Sequence, residues 1–405
     1  MATSSYNLND LGNVLGSIDP ATTQSITDYL SNMGLSNVDV QIDNYPPLDS
    51  NAQVLVTDTT NPITIDTSLY PNLDVIVDNS ASANVTVTGG GNVFVATDGN
   101  DLVDLTGSTG DDVVQTGPGN DTILGGGGAD SMYGGDGNDS VVGGTGDNQL
   151  IDGGKGNDIL RAGSGDFDTL DGGSGNDKLY GGNGSWETLS GGGGNDTLYG
   201  GSGDFETLVG GGGNDEIHGG SGNVELLEGG KGNDKLYGGS GDFETLVGGG
   251  GNDQIYGGKG NVELLQGGSG NDQLFGGSGN SETLIGGGGN DQLYGGSGAG
   301  QLLQGGSGND MLFGGKGNFE TLSGGGDETM LGGGGNDVFN LFNTTGNDTI
   351  VGGSGHHDVA NINQAYNPAD VSTDGSGVTT VTFGSQTFTI SGVETIQFTD
   401  HTYKP

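Results

Sequence analysis

Residues 191–228 read GGGGNDTLY, GGSGDFETLV, GGGGNDEIH, GGSGNVELLE: nine-residue halves alternating with ten-residue halves. Each half opens on glycines and closes on a short run with one large apolar position. Short apolar runs bounded by glycine are the pattern of brief strands joined by tight turns. Self-similarity at a fixed spacing points to stacked coils rather than to one globular core. The full coil of 19 residues repeats from about 143 to 323, and a period of twice that length shows in GDFETLVGGGGND, present at both 203 and 241.

Counting back from the apolar position aligns the two kinds of half. In the nine-residue half an aspartate stands two residues ahead, Asp196 before Leu198 and Asp215 before Ile217. In the ten-residue half the inward residue is the second of the final pair, Leu208, Leu227, Leu246 or Leu265, and two before each is Glu206, Glu225, Glu244 or Glu263. Strand residues two apart share a face, so Glu takes the place of Asp in a turn one residue longer. The inserted residue is Phe167, Trp186, Phe205, Val224, Phe243, Val262, Ser281, Gly300 and Phe319 in successive coils, and is expected to point outward. The competing reading is that these turns have lost their metal ion, with each Glu solvated and the inserted Phe tucked into the core. A further alternative to an outward stripe folds the inserted side chains over the turn, where they shield the Glu–metal column from water. Glutamates stacked at about 4.8 Å would repel without counter-ions, which favours cation binding. Coils with Gln149 or Gln301 at this position are weaker sites on either view.

Upstream, GSTGDDVVQ, TGPGNDTIL, GGGGADSMY and GGDGNDSVV follow from Gly107 at nine-residue spacing, so the coils there have 18 residues. Each fits G-G-x-G-x-D-x-U-x, where U is large and apolar. This template resembles the nonapeptide of the RTX (repeats-in-toxin) calcium-binding family. The resemblance implies a right-handed parallel β-roll, an all-β solenoid. In it glycine carbonyls approach an ion, Asp supplies a hard oxygen, and U fills a core between two strands. Two turns from adjacent coils give about six oxygens, which suits Ca²⁺ better than Mg²⁺. The ligand series implied is Asp112, Asp121, Asp130, Asp139, Asp158, Asp177, Asp196, Asp215, Asp234, Asp253, Asp272, Asp291, Asp310, Asp337 and Asp348. The substitution argument adds Glu187, Glu206, Glu225, Glu244, Glu263, Glu282 and Glu320, with Asp168 as the short version. If all bind, on the order of 20 ions are held. After the repeats, VTTVTF, QTFTIS and GVETIQFTDHTYKP resemble the tail of type I secreted RTX proteins, which caps the roll and carries an uncleaved export signal.

Composition agrees. The 405 residues include 94 glycines without a Gly-X-Y register, 53 acidic and 8 basic side chains, and a formal charge of −45. Self-repulsion of that size opposes compaction, so a cationic partner is expected in the fold. There is no basic patch for nucleic acid or anionic lipid, no cysteine, no Sec-type leader at the N-terminus and no apolar run of the ~20 residues a membrane span needs.

The expected organisation is a partly helical head at 1–50, with a helix over Pro20–Met33 and a linker at Tyr45-Pro46-Pro47. Motif-free solenoid coils at 51–106 follow, then the calcium roll at 107–359 and a β-rich cap with the secretion signal at 360–405. Metalloprotease, serine-hydrolase and phosphate-loop motifs are absent. The four histidines, His218, His356, His357 and His401, form no evident site, and Lys155, Lys231, Lys259 and Lys316 trim surface charge. The expectation is a non-enzymatic, extracellular, secreted or cell-surface protein. It would be a surface-layer, biofilm or fibre subunit that self-associates through a stripe including Phe167, Trp186, Phe205, Phe243 and Phe319. The alternative is an adhesin that binds a glycan or a protein partner.

Overall fold

A computed structural model describes residues 4–7, 37–42, 54–57, 62–69, 75–78, 82–91, 93–341 and 346–405. The helix expected over Pro20–Met33 and the linker at Tyr45–Pro47 lie outside the described residues. Within the head, Ser4–Asn7 and Asn37–Ile42 pair as antiparallel strands, and Asn37–Ile42 runs parallel to Val54–Thr57. The chain divides into two units, residues 1–197 with 201–203, and residues 198–200 with 204–405. Both are parallel β-solenoid, and the described helix is confined to one 3₁₀ turn, Pro368–Asp370.

In the first unit, consecutive strands alternate between two parallel sheets. Val75–Asp78, Phe94–Thr97, Val113–Pro118, Ser131–Asp136 and Leu150–Lys155 build one sheet. Asn84–Gly89, Leu102–Ser108, Thr122–Leu124, Ser140–Val142 and Ile159–Arg161 build the other. Pairing stays in register, Thr122 beside Ser140 and Ser140 beside Ile159. Alternation along each three-residue strand sends one side chain inward, so Ile123, Val141, Leu160 and Leu179 face Val114, Met132, Ile151 and Leu170, all fully buried. The apolar positions chosen from the repeat are therefore the core.

The second unit repeats this with Thr207–Gly212, Leu226–Lys231, Thr245–Gly250 and Leu264–Ser269 on one sheet, and Glu216–His218, Lys235–Tyr237, Gln254–Tyr256 and Gln273–Phe275 on the other. Its end is closed by the tail. Gln386–Ser391 lies parallel to Asp348–Ser354 and forms a hairpin with Thr379–Phe383, while Thr395–Gln397 lies parallel to Val359–Ile362. The strand edges of the last coil are thus paired instead of exposed.

One feature of this unit was not anticipated. The residues following the inward apolar position stack on the outer face of one sheet: Tyr199, His218, Tyr237, Tyr256, Phe275, Tyr294 and Phe313. Neighbouring ring centroids are 4.7–5.0 Å apart and the planes are within 8° of parallel. In-register parallel strands place identical positions one above another at the strand spacing, which is also the spacing of stacked rings. His218 continues the stack and bonds Glu216 at 2.9 Å.

Turn glycines set the tolerance of the fold. Gly232 has φ +130, and a side-chain carbon there would collide with the Gly213 carbonyl of the preceding coil, whereas a carbon on Gly212 meets nothing within 4 Å. Gly232→Ala is therefore expected to destabilise the folded protein by about 2 kcal/mol or more, while Gly212→Ala stays within about 0.5 kcal/mol. Calorimetric melting of the two variants checks this, and equal melting points contradict it.

Candidate metal centre

All the carboxylates nominated from the repeat are buried, none more than 2% exposed, and they flank the two sheets. In the second unit, Asp234, Asp253, Asp272 and Asp291 precede strands of one sheet, and Glu225, Glu244, Glu263 and Glu282 precede strands of the other. The first unit has the same arrangement, Asp121, Asp139, Asp158 and Asp177 on one side and Asp112, Asp130, Gln149 and Asp168 on the other.

Along the aspartate column of the second unit, one oxygen ties successive coils together. Asp253 Oδ1 accepts the Asp234 N–H, Asp272 Oδ1 the Asp253 N–H, and Asp291 Oδ1 the Asp272 N–H, all at 2.8 Å. The second oxygen of Asp234, Asp253, Asp272 and Asp291 is buried without a hydrogen-bond partner, and so is that of Asp121, Asp139, Asp158 and Asp177. These oxygens face gaps left by glycine. A carbon built on Gly229 would lie 2.5 Å from Asp234 Oδ2 and 2.7 Å from Gly248 O, and one on Gly172 would lie 2.6 Å from Asp177 Oδ2 and 2.7 Å from Gly191 O. A carboxylate oxygen and a carbonyl from successive coils thus converge on one space. Among the described residues no three His, Cys, Asp or Glu side chains gather at a point. Backbone carbonyls therefore have to complete any coordination, and hard oxygens of both kinds are the donors Ca²⁺ takes. The outer turn edge is held by asparagines, with the Asn252 N–H donating to Asn233 Oδ1 at 2.8 Å.

The glutamate turns solve the same problem with one more methylene. Oε2 of Glu244, Glu263 and Glu282 accepts the N–H of Gly239, Gly258 and Gly277 at 2.9, 3.0 and 3.1 Å, and Oε1 of each is buried without a partner. The solvated-glutamate reading is therefore wrong. So is the reading that puts the inserted residue in the core. Phe205, Val224, Phe243, Val262 and Phe319 have φ of +63 to +70 and are 40–67% exposed. In the first unit Phe167 and Trp186 behave alike, with ring centroids 6.3 Å apart. A left-handed conformation at each inserted residue absorbs the extra length and turns its side chain out. At Gln301 the amide donates to Glu282 Oε2 at 3.1 Å, a neutral substitute within the column.

Three buried carboxylates escaped the template: Asp101, Glu328 and Asp358. Asp101 precedes the inward Val103 within the stretch read as motif-free. Glu328 sits in an eight-residue half, GGGDETML at 324–331, where the shortened turn displaces the motif by one. Asp358 follows His356-His357, which interrupt the glycine pattern. In each case the carboxylate still stands two before an inward residue, Val103, Met330 or Ala360, and that spacing alone would have found it.

Burial raises these acids, with like-charged neighbours adding to it. Asp121, Asp177 and Asp253 are pushed up to about 7, first by desolvation and then by the carboxylates of adjoining coils. Glu225, Glu263 and Glu282 also rise to about 7, led by desolvation. With folded-state values above the unfolded ~4, the ion-free fold binds more protons than the unfolded chain, so its stability falls as pH rises through that window. Ion-free protein is expected to gain β-structure as pH is lowered from 8 to about 5. Circular dichroism after calcium removal reads it, and a signal that is flat or falls on acidification contradicts it.

Comparison with known families agrees with this geometry. The RTX calcium-binding nonapeptide repeat matches segments running from 106–141 to 342–356, together well over half of the chain. A search of curated proteins gave no match. The residues matched are the glycine turns, buried carboxylates and inward aliphatics described above, and the chain belongs to the RTX calcium-binding repeat family.

Proposed function

We propose that this is a secreted calcium-binding structural protein of the cell surface or extracellular matrix, folding on Ca²⁺ and assembling through its exposed apolar turn residues. The observation that carries the proposal is the buried carboxylate oxygen without a partner that recurs through the Asp and Glu turns. An uncompensated buried charge is strongly destabilising, and with an ion in place it becomes a ligand. On this reading the Asp and Glu series and the turn carbonyls hold on the order of 20 ions, and ion binding is folding energy. The family's repeats are typical of secreted proteins, and extracellular calcium is at the level that weaker sites require.

Assembly is supported by Phe205, Val224, Phe243, Val262 and Phe319. Bulky and β-branched residues in the left-handed region are strained, and strain retained at exposed apolar positions accords with a contact surface.

Calcium-coupled folding is tested by circular dichroism, with β-structure expected in about 5 mM Ca²⁺ and largely lost in EGTA; equal spectra would sink it. The glutamate turns are tested by counting bound calcium in Glu244→Gln beside Asp253→Asn. Both should lose binding, and an undiminished count in Glu244→Gln confines the ions to the aspartate side. Replacing Phe205, Phe243 and Phe319 with Ser should abolish calcium-dependent growth in light scattering with calcium binding intact. Undiminished growth rejects the contact surface.

A further inference from the structure

The repeat pattern ends before Asp358, yet the geometry of a repeat turn continues past it. In the coil before, a carbon on Gly332 would press on both Asp337 Oδ2 and Gly352 O. One layer on, a carbon on Gly352 would lie 2.7 Å from Asp358 Oδ2 and press on Gly392 O. Gly392 is not in the repeats; it joins the tail strands Gln386–Ser391 and Thr395–Gln397, and its φ of +63 suits a glycine. The coil-to-coil tie continues as well. Asp358 Oδ1 accepts the Asp337 N–H, and Glu394 Oε2 accepts the Asp358 N–H, both at 2.8 Å. Thr395 stands in register beside Val359, so Glu394 takes the position of the next carboxylate in the column.

From this we infer that the tail completes a terminal calcium site, made by Asp358, the Gly392 carbonyl and Glu394, which locks the C-terminal strands onto the last coil. Asp358 is fully buried and its Oδ2 has no hydrogen-bond partner, so a charged oxygen is aimed into the space that Gly392 O also borders. Glu394 is exposed and lines a solvent-open cavity with His356, Val393 and Lys404, which gives an ion a way in. Two carboxylates and a carbonyl are an oxygen donor set that calcium accepts, with water free to fill remaining positions on the open side. The tail then acts as a clasp: its strands are fastened by the same ion chemistry as the coils, though its sequence carries no repeat. This rests on the calcium reading of the roll.

The test uses the full chain with saturating Ca²⁺, measuring bound calcium and amide exchange together. Glu394→Gln keeps an oxygen that can accept the Asp358 N–H and removes only the charge; Asp358→Asn removes the buried one. Each is expected to release about one ion and to speed exchange across 386–397 by about tenfold, leaving exchange across 215–310 unchanged. A full ion count in both variants overturns the site, even if tail exchange quickens, because the residues would then be only structural. Wild-type protein that folds and binds no calcium overturns the reading of the roll as well, and so separates the two failures.

Discussion

A carboxylate buried at nearly every half-coil of the repeat, one strand spacing from the next like charge, is the constraint around which this chain is organised. In water such a row would simply be solvated. Here it stands under the turns, almost completely enclosed: aspartates such as Asp253 spend one oxygen on the N–H of the neighbouring coil, glutamates such as Glu244 spend one on an N–H of their own turn, and the other oxygen is buried without a partner. The glycines follow from that placement, since Gly229 or Gly172 with a side chain would fill the space where carboxylate and carbonyl converge. So does the thin core. Two aliphatic side chains in a 19-residue coil, such as Leu246 and Ile255, leave little apolar burial to offset chain entropy, and the turns have to contribute what the core lacks.

Three kinds of column run along the second unit, each a result of strict parallel register. Carboxylates line the turns, aliphatics fill the interior, and the stacked rings from Tyr199 to Phe313 cover one outer face. The asparagine ladder is a fourth, at the turn edge. Each binds a coil only to its immediate neighbours, so stability accrues layer by layer, as in repeat proteins generally.

Much of this could be read in the sequence because the position two before the apolar residue is a geometric quantity: two strand residues on one face. That rule gives Glu206, Glu225 and Glu244 the role of the aspartates and sends Phe205 and Phe243 outward. It failed where glycine spacing was used in place of it, at Asp101, Glu328 and Asp358. The aromatic stack was not found because nothing about Tyr237 or Phe275 alone distinguishes an outward ring on a strand from one packed over its neighbours. Only the repeat period, read across coils, carries that information. Glu394 was hidden for another reason, since its column partner Asp358 lies 36 residues earlier and the tail between them breaks the period.

The eight-residue half at 324–331 carries a consequence for how the second unit finds its pairing. Coils that are nearly identical can pair one layer out of step and still bury the same side chains, so a perfectly uniform repeat would have many alignments of similar energy. A shortened turn with Glu328 in place of Asp fits only its own layer, and Gln301, whose amide reaches Glu282, marks another. Such irregularities serve as index marks on an otherwise repetitive scale. A version of the chain with them erased would be expected to hold its ions equally well and yet reach a mixture of shifted alignments, each a coil too long at one end and a coil too short at the other.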